Sequence, residues 1–187
     1  MNVVAPGLLG LAFGSAAFLV AHMVMTRAGA VAAEPLDVHP PLWPALITLG
    51  LFAAVEEAVF RLGLIGYGAR LVGFPAAFFV SVVLFAVVHR TEERLTPLAW
   101  ANLLLVGALL GLLYHDQGFF AALGFHWAWN AWEWGLGYAV SGEKNRSRLP
   151  APPVSRRLGH LPYGPEAHWA SGASLLASLI ALLVVHP

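Results

Sequence analysis

Long apolar runs alternate with short polar segments along most of the chain. Six of these runs are close to the roughly 17 to 25 residues that a transmembrane helix needs. A strand of a transmembrane barrel would instead alternate polar and apolar residues over about ten positions. The pattern therefore predicts six membrane-spanning helices, with boundaries near 3–25, 42–67, 73–89, 98–114, 118–140 and 171–186.

Composition supports this membrane assignment. The chain has 187 residues, of which 59% are hydrophobic and 11% are charged, far from the composition of soluble globular proteins. We predict an all-α fold, a polytopic helix bundle in the lipid bilayer that forms a single domain over 1–187. Its motif-bearing core covers 42–138, and an irregular polar loop rich in Pro and Arg covers 141–170.

Charge and cysteine content exclude several classes of function. The formal net charge is zero, so the chain has no basic field to attract DNA or RNA, and we expect no nucleic-acid partner. The chain contains no cysteine, which excludes disulfides, thiolate nucleophiles and Cys-ligated metals. Any catalysis must therefore use oxygen or nitrogen groups.

The distribution of Lys and Arg predicts an orientation in the membrane. Eight of these ten residues fall in the loops that join spans one and two, three and four, and five and six, which places those loops in the cytoplasm. A single Lys beside nine Arg indicates a GC-rich bacterial genome and hence the bacterial inner membrane. The eight loop residues are Arg27, Arg90, Arg94, Lys144, Arg146, Arg148, Arg156 and Arg157.

Two adjacent acids lie within the second apolar run, where a centrally placed charge costs roughly 2.5 to 3.5 kcal/mol. Glu57 and Arg61 are four residues apart with the acid first, which favours a side-chain pair on one helical face. Glu56 is turned by about 100° from that pair. We expect Arg61 to neutralise Glu57 while Glu56 points into a polar cavity. The alternative is that both acids only form hydrogen bonds between helices.

Polar side chains also interrupt the third and fifth runs. Phe85 and His89 lie one helical turn apart at the end of the third run, and His126 and Asn130 lie one turn apart within the fifth. Polar groups without partners are unfavourable in lipid. Hydrogen bonds between helices are one explanation. A carboxylate, two imidazoles and a carboxamide on three spans are more simply explained by one cavity between spans two, three and five.

In this order and on separate spans, these patterns resemble the CPBP family of intramembrane endopeptidases, which includes the type II CAAX prenyl endopeptidases. Each pattern alone is weak, whereas all three in order within membrane spans are specific. The resemblance covers residues 42–138. The three patterns are Glu56-Glu57-x-x-x-Arg61, Phe85-x-x-x-His89 and His126-x-x-x-Asn130.

The resemblance implies a glutamic-type intramembrane protease, a hydrolase that acts on peptide bonds. Glu56 and His89 would hold and deprotonate a water molecule, and His126 and Asn130 would stabilise the oxyanion formed at the scissile carbonyl. One such oxyanion donor is typically worth about 10² to 10³ in rate. Three further side chains would support this arrangement without reacting: Glu57, Arg61 and Phe85.

Two alternatives remain open at this point. Zinc bound by Glu56, His89 and His126 would use a ligand set known from catalytic zinc sites. We favour a reaction without a cofactor, because Asn130 is a poor zinc ligand but a good oxyanion donor. The second alternative is a non-enzymatic membrane protein with a polar core, either a haem-binding protein or a transporter subunit. Haem would need two facing histidines but neither Glu56 nor Asn130.

The depths of Glu56 and His89 pose a geometric difficulty. At about 1.5 Å per residue, Glu56 lies roughly 21 Å from the cytoplasmic end of its span, whereas His89 closes its span at that end. For the two to meet, either the third helix continues through 90–94 and lies deeper in the bilayer, or the spans tilt strongly. In the first case the charged side chains of 90–94 would border a water-filled entrance open to the cytoplasm.

The expected substrate is a membrane protein or peptide, with a C-terminal tail lying at the membrane as one candidate. Bacteria generally lack prenylated CAAX proteins, so a prenylated substrate is not expected if the bacterial assignment holds. The four tryptophans of the fifth run either line the path of the substrate or pack against neighbouring helices. These residues are Trp127, Trp129, Trp132 and Trp134.

Overall fold

A computed structural model of the chain describes residues 3–35, 41–90, 95–141, 154–157 and 163–185. Helices dominate these ranges, and the predicted all-α membrane helix bundle is confirmed. A π-helix (Ala58–Tyr67) follows α2 directly, and a 3₁₀-helix (Pro165–Ala167) precedes the last helix. The α-helices are α1 (Val4–Arg27), α2 (Leu42–Glu57), α3 (Ala69–Val72), α4 (Phe74–Val88), α5 (Pro97–Gln117), α6 (Phe119–Gly135) and α7 (Trp169–Val185).

The helices carry an apolar outer surface. Both α1 and α5 are long and apolar enough to cross a bilayer, and α4 and α7 are shorter apolar helices. Large apolar side chains on the outside include Leu51, which is 62% exposed, and Phe79, which is 68% exposed. Apolar surface of this extent is unfavourable in water and fits contact with lipid tails.

Local sequence signals define where the helices begin and turn. Thr96 caps α5, since its Oγ1 accepts a hydrogen bond from the Ala99 N–H at 3.1 Å, and Pro97 occupies the first helical position. Gly73 and Gly118 adopt φ angles of 81° and 87°, which L-residues with a side chain rarely adopt. These two glycines allow the tight turns that connect α3 to α4 and α5 to α6.

The turn at Gly73 explains how Glu56 and His89 reach the same level. Glu56 lies 17 residues before Gly73 and His89 lies 16 residues after it, on two helical segments that run in opposite directions. Glu56 lies far from the start of its helix only because α2 begins at Leu42, well before the level at which α4 ends. The predicted continuation of the third helix is wrong, because α4 ends at Val88 with His89 as its C-cap. The predicted entrance involves Glu92, Glu93 and Arg94, which lie outside the described residues.

The loop predicted to be irregular contains regular structure. Strand β1 (Ala32–Pro35) pairs antiparallel with strand β2 (Val154–Arg157), so that Ala32 lies opposite Arg157. The prediction of an irregular loop over 141–170 is therefore wrong for β2 and for the 3₁₀-helix. Backbone pairing with β1 orders β2, and contacts with α5 and α7 order the 3₁₀-helix. The ribbon also joins the loop after span one to the loop after span five, which a six-span topology places on one side.

Helices α1 and α6 approach each other through small residues. A Cβ atom added at Gly14 of α1 would lie 2.5 Å from the carbonyl oxygen of Phe125 in α6, which is far below van der Waals contact. Added at Gly124 of α6, it would lie 2.5 Å from the carbonyl oxygen of Gly7. Close approach of two backbones replaces apolar burial as a source of helix association in lipid. This contact fixes α6, and with it His126, against the first helix.

We predict that Gly14→Ala destabilises the bundle, because the added methyl group has no space against the Phe125 carbonyl. Overpacking of this kind costs typically about 1 to 3 kcal/mol. Gly7→Ala is the matched control on the same helix, since its Cβ would meet the Phe120 carbonyl oxygen at an ordinary 3.9 Å. Thermal unfolding in detergent should show a lower Tm for Gly14→Ala alone. Equal shifts for the two variants would contradict the close approach of α1 and α6.

Candidate active site

Three of the predicted side chains meet at one carboxylate oxygen. Glu56 Oε2 lies 3.4 Å from His89 Nε2 and 3.7 Å from His126 Nε2. The Glu56 side chain is 35% exposed, whereas those of His89 and His126 are 8% and 7% exposed. Both separations are longer than a direct hydrogen bond, and Glu56 Oε2 has no hydrogen-bond partner among the described residues. A small polar molecule placed between the three groups would satisfy them.

Glu57, the neighbouring acid, has a different environment. One of its oxygens pairs with Arg61 Nε at 3.1 Å, and the other lies 2.8 Å from His126 Nδ1. Both Glu57 and Arg61 are fully buried. Because a carboxylate only accepts hydrogen bonds, Nδ1 of His126 carries a hydrogen and its Nε2 faces Glu56. The predicted ion pair of Glu57 with Arg61 is confirmed, and the bond to His126 extends it.

Phe85 contacts both imidazoles and the arginine. The Nδ1–H of His89 donates to the Phe85 carbonyl oxygen at 2.7 Å, which directs its Nε2 towards Glu56. The Phe85 ring lies 4.3 Å from the His89 ring and 5.9 Å from the His126 ring, between centroids. The Arg61 guanidinium carbon lies 5.0 Å from the centre of the Phe85 ring, within cation–π distance. Phe85 thus fixes the orientation of several polar groups at once.

Asn130 lies beside His126 at a small cavity. The cavity has room for about 20 Å³, which is enough for one water molecule. Phe85, His89, His126 and Asn130 line it, together with Glu166 and residues of α5 and α7. The side chain of Asn130 is only 9% exposed. The predicted cavity is therefore bordered by spans four and six as well as by spans three and five, and Glu56 reaches the two histidines that line it.

A protein-family model described as Type II CAAX prenyl endopeptidase Rce1-like matches residues 38–132, about half of the chain. The chain belongs to this family. No curated protein and no solved structure matches it significantly. Family membership identifies an intramembrane CAAX-type protease in general terms, and together with the apolar helices it identifies an integral membrane protein.

The part of the chain that matches the family contains every residue of the three sequence patterns. The matched range begins just before α2 and ends within α6, so it includes Glu56, His89, His126 and Asn130. Helix α1, both strands of the ribbon, the 3₁₀-helix and α7 lie outside it. Helices α1 and α7 nevertheless contribute to the site. Helix α1 packs on α6, and α7 forms part of the cavity wall.

The described ranges contain no cluster of potential metal ligands apart from the candidate site. In the described residues as they stand, no three His, Asp or Glu side chains are arranged to hold a metal ion, and this includes Glu56, His89 and His126. Both imidazoles use Nδ1 for contacts within the protein and present Nε2 to Glu56. The choice between a metal-free reaction and the zinc alternative stays a prediction that needs a chelator experiment.

Sequence reasoning missed two buried acids next to this site. The Trp129 indole N–H lies 3.0 Å from Glu133 Oε1 and 3.0 Å from Glu166 Oε1. Glu133 follows His126 by seven residues, so the spacing of two helical turns could have placed it on the same face. Glu166 lies in the 3₁₀-helix of the last loop and has no comparable sequence signal.

The tryptophans of α6 have mixed roles. Trp129 lines the cavity and donates to the two acids, and the Trp127 indole N–H donates to the Leu46 carbonyl oxygen at 3.0 Å. Trp132 packs against the main apolar core, and Trp134 is 3% exposed. Packing and hydrogen bonding between helices explain three of the four, and Trp129 alone reaches the cavity.

We predict that Arg61→Met destabilises the protein, because it leaves Glu57 as a buried charge without a counter-charge. Breaking a buried ion pair in this way costs typically about 3 to 5 kcal/mol. The double variant Glu57→Gln with Arg61→Met removes both charges and should recover part of that loss. Unfolding in detergent micelles measures both values. A double variant less stable than Arg61→Met would show that the charge of Glu57 is not the cause.

Proposed function

We propose that the protein is an intramembrane endopeptidase that hydrolyses a peptide bond in a membrane-associated protein or peptide, with Glu56 as the general base. One observation carries this proposal: Glu56 Oε2 lies near the Nε2 atoms of both His89 and His126 in a member of a protease family. The reaction needs no cofactor, because the same three groups suffice to position and deprotonate water.

Glu56 and His89 bind the attacking water. The hydrogen on Nδ1 of His89 is committed to the Phe85 carbonyl, so its neutral Nε2 accepts a hydrogen bond. A water between Glu56 Oε2 and His89 Nε2 donates one hydrogen to each and directs a lone pair at the scissile carbonyl carbon. Glu56 takes the proton as the new carbon–oxygen bond forms. A positioned base of this kind contributes typically about 10² to 10⁴ in rate.

His126 and Asn130 form the oxyanion hole. In its imidazolium form, His126 donates from Nδ1 to Glu57 and carries a second hydrogen on Nε2. That N–H and the Asn130 amide donate to the oxygen that gains negative charge. Both groups lie on α6, one turn apart, and line the same cavity. They are therefore aligned before the substrate binds, which is what electrostatic stabilisation of a transition state requires.

Glu57, Arg61 and Phe85 position these groups. Arg61 keeps Glu57 ionised in a buried site, and Glu57 in turn holds the His126 ring. Phe85 orients His89 through its carbonyl group and contacts both imidazoles through its ring. None of the three needs to touch the substrate.

The substrate is a membrane protein or peptide cleaved close to the bilayer, with a C-terminal tail as the favoured form. We place the enzyme in the bacterial inner membrane with its active site open to the cytoplasm, on the distribution of Arg and Lys among the loops. A haem-binding role is disfavoured because axial haem ligation would need neither Glu56 nor Asn130.

We predict that Glu56→Gln and His126→Ala abolish cleavage and that Asn130→Ala lowers kcat by about 10² to 10³, the typical effect of one oxyanion donor. The assay uses a panel of fluorogenic peptides, each with an apolar anchor, in vesicles that contain the purified enzyme. Asp116→Asn, at the far end of α5, is the control and should retain wild-type activity. Full activity of Glu56→Gln would overturn the proposed mechanism.

We predict that a zinc chelator leaves the rate of cleavage unchanged within twofold, because Glu56 and the two histidines need only water. The same vesicle assay with and without the chelator measures this. Loss of activity on chelation, with recovery on adding zinc, would instead support zinc bound by Glu56, His89 and His126.

A further inference from the structure

A second pair of carboxyl groups lies beside the candidate active site. Glu133 is fully buried and Glu166 is 6% exposed, and both accept a hydrogen bond from the same Trp129 indole at 3.0 Å. Their two Oε1 atoms are therefore at most about 6 Å apart. The remaining oxygens, Glu133 Oε2 and Glu166 Oε2, are buried and have no hydrogen-bond partner among the described residues.

This pair differs from Glu57 because no cation balances it. In the described part of the chain, neither Glu133 nor Glu166 forms an ion pair with Arg, Lys or His. Two buried carboxylates that contact the same donor repel each other when both are ionised, which favours the protonated form of one of them. A single proton shared by the pair would remove one of the two charges and would supply a donor to the unpartnered oxygens.

The position of Glu166 would let this proton reach a substrate. Glu166 lines the same water-sized cavity as His89, His126 and Asn130. Its main chain is fixed, because Asn102 of α5 donates to the Glu166 carbonyl oxygen at 2.7 Å. Hydrolysis of an amide needs an acid on the leaving nitrogen as well as a base on the water. Glu56, which approaches both histidines, serves as the base, and Glu166 lines the cavity beside those histidines.

We propose that Glu166, carrying the proton that it shares with Glu133, is the general acid that protonates the leaving amine. This inference rests on the proposed peptidase function. In the step, the Glu166 O–H bond breaks and an N–H bond forms, while the scissile C–N bond breaks and its electron pair goes to nitrogen. The oxyanion oxygen reforms the carbonyl group. The proton that Glu56 took from water then returns to the carboxyl pair through water in the cavity.

The other titratable groups around the pair already have partners. His89 and His126 line the cavity but already have assigned hydrogen bonds. His22 of α1 bonds the Tyr138 hydroxyl at 2.8 Å, and Nδ1 of His168 accepts from the Ala170 N–H at 3.1 Å. Arg61 of the π-helix is committed to Glu57. Glu166 is thus the cavity-lining group with an unassigned oxygen.

The test compares an amide and an ester as substrates of Glu166→Gln. The amide is the peptide of the vesicle panel that the wild type cleaves fastest, and the ester is its depsipeptide with oxygen in place of the scissile N–H. An alcohol leaves with little help from an acid, whereas an amine needs a proton. We expect kcat for the amide to fall by about 10² to 10⁴ and kcat for the ester to fall less than threefold. Equal losses on both substrates would overturn the proposal and indicate a structural role.

Glu133→Gln provides a second variant that leaves the cavity wall unchanged. This variant removes the acidic neighbour with which the proton is shared, so the basic limb of the pH profile for the amide should shift relative to the wild type. An unchanged limb would contradict proton sharing. Independently of activity, infrared spectra of the wild type near neutral pH should show a protonated carboxyl band that Glu133→Gln lacks.

These outcomes separate the inference from the function on which it rests. If the wild type cleaves the peptide, Glu56→Gln abolishes cleavage of both substrates and Glu166→Gln affects both equally, the peptidase function stands and the general-acid role fails. If the wild type cleaves neither substrate, the peptidase function fails first, and the general-acid role fails with it.

Discussion

The buried charge of Arg61 is the constraint on which the rest of the site depends. A guanidinium with no exposed surface needs a carboxylate next to it, and Glu57 supplies one at 3.1 Å. The second oxygen of Glu57 then fixes the His126 ring through Nδ1. The π-helix that begins at Ala58 places Arg61 where it also reaches Ser81 of α4, at 3.5 Å. One ion pair therefore ties α2, α4 and α6 together at the level of Glu56.

Helix α6 brings the two acidic pairs into one site. One face of α6 carries His126, Asn130 and Glu133 at intervals of about one turn, and the first two of these line the cavity. The pair of Glu56 and Glu57 lies on one side of this row, and Glu166 lies on another. One acid of the first pair is paired with Arg61, and in our proposal the second pair shares a proton. The site thus holds four carboxyl groups in a small apolar volume without four negative charges.

The sequence predicts the helices and most of the candidate site, for physical reasons that are easy to state. Apolar runs long enough to cross a bilayer leave few alternatives to helices, and intramembrane polar residues need partners. The i, i+4 spacing of Glu57 and Arg61 is therefore a sufficient signal for their pairing. The family match at 38–132 agrees with the resemblance drawn from the three patterns.

The features that the sequence does not predict depend on contacts between distant segments. The level at which Glu56 and His89 meet depends on the turn at Gly73 and on a helix that begins at Leu42. Counting residues from the ends of single spans therefore gives the wrong relative depth for these two side chains. The π-helical segment has no composition that distinguishes it from an α-helix. Glu166 reaches the cavity because the 3₁₀-helix packs against α5 and α7 and because Asn102 donates to the Glu166 carbonyl oxygen. Neither contact produces a recognisable pattern in the local sequence.

The most direct measurement of the central claim is the protonation pattern of His126, read by ¹⁵N NMR of the protein with labelled histidine in lipid. If the charge of Arg61 holds Glu57 ionised against His126, Nδ1 of His126 carries a hydrogen that is bonded to a carboxylate. That signal should persist in Glu56→Gln and should change in Glu57→Gln. A bare Nδ1 in the wild type, with the hydrogen on Nε2 alone, would contradict the arrangement from which the hydrolytic site is built.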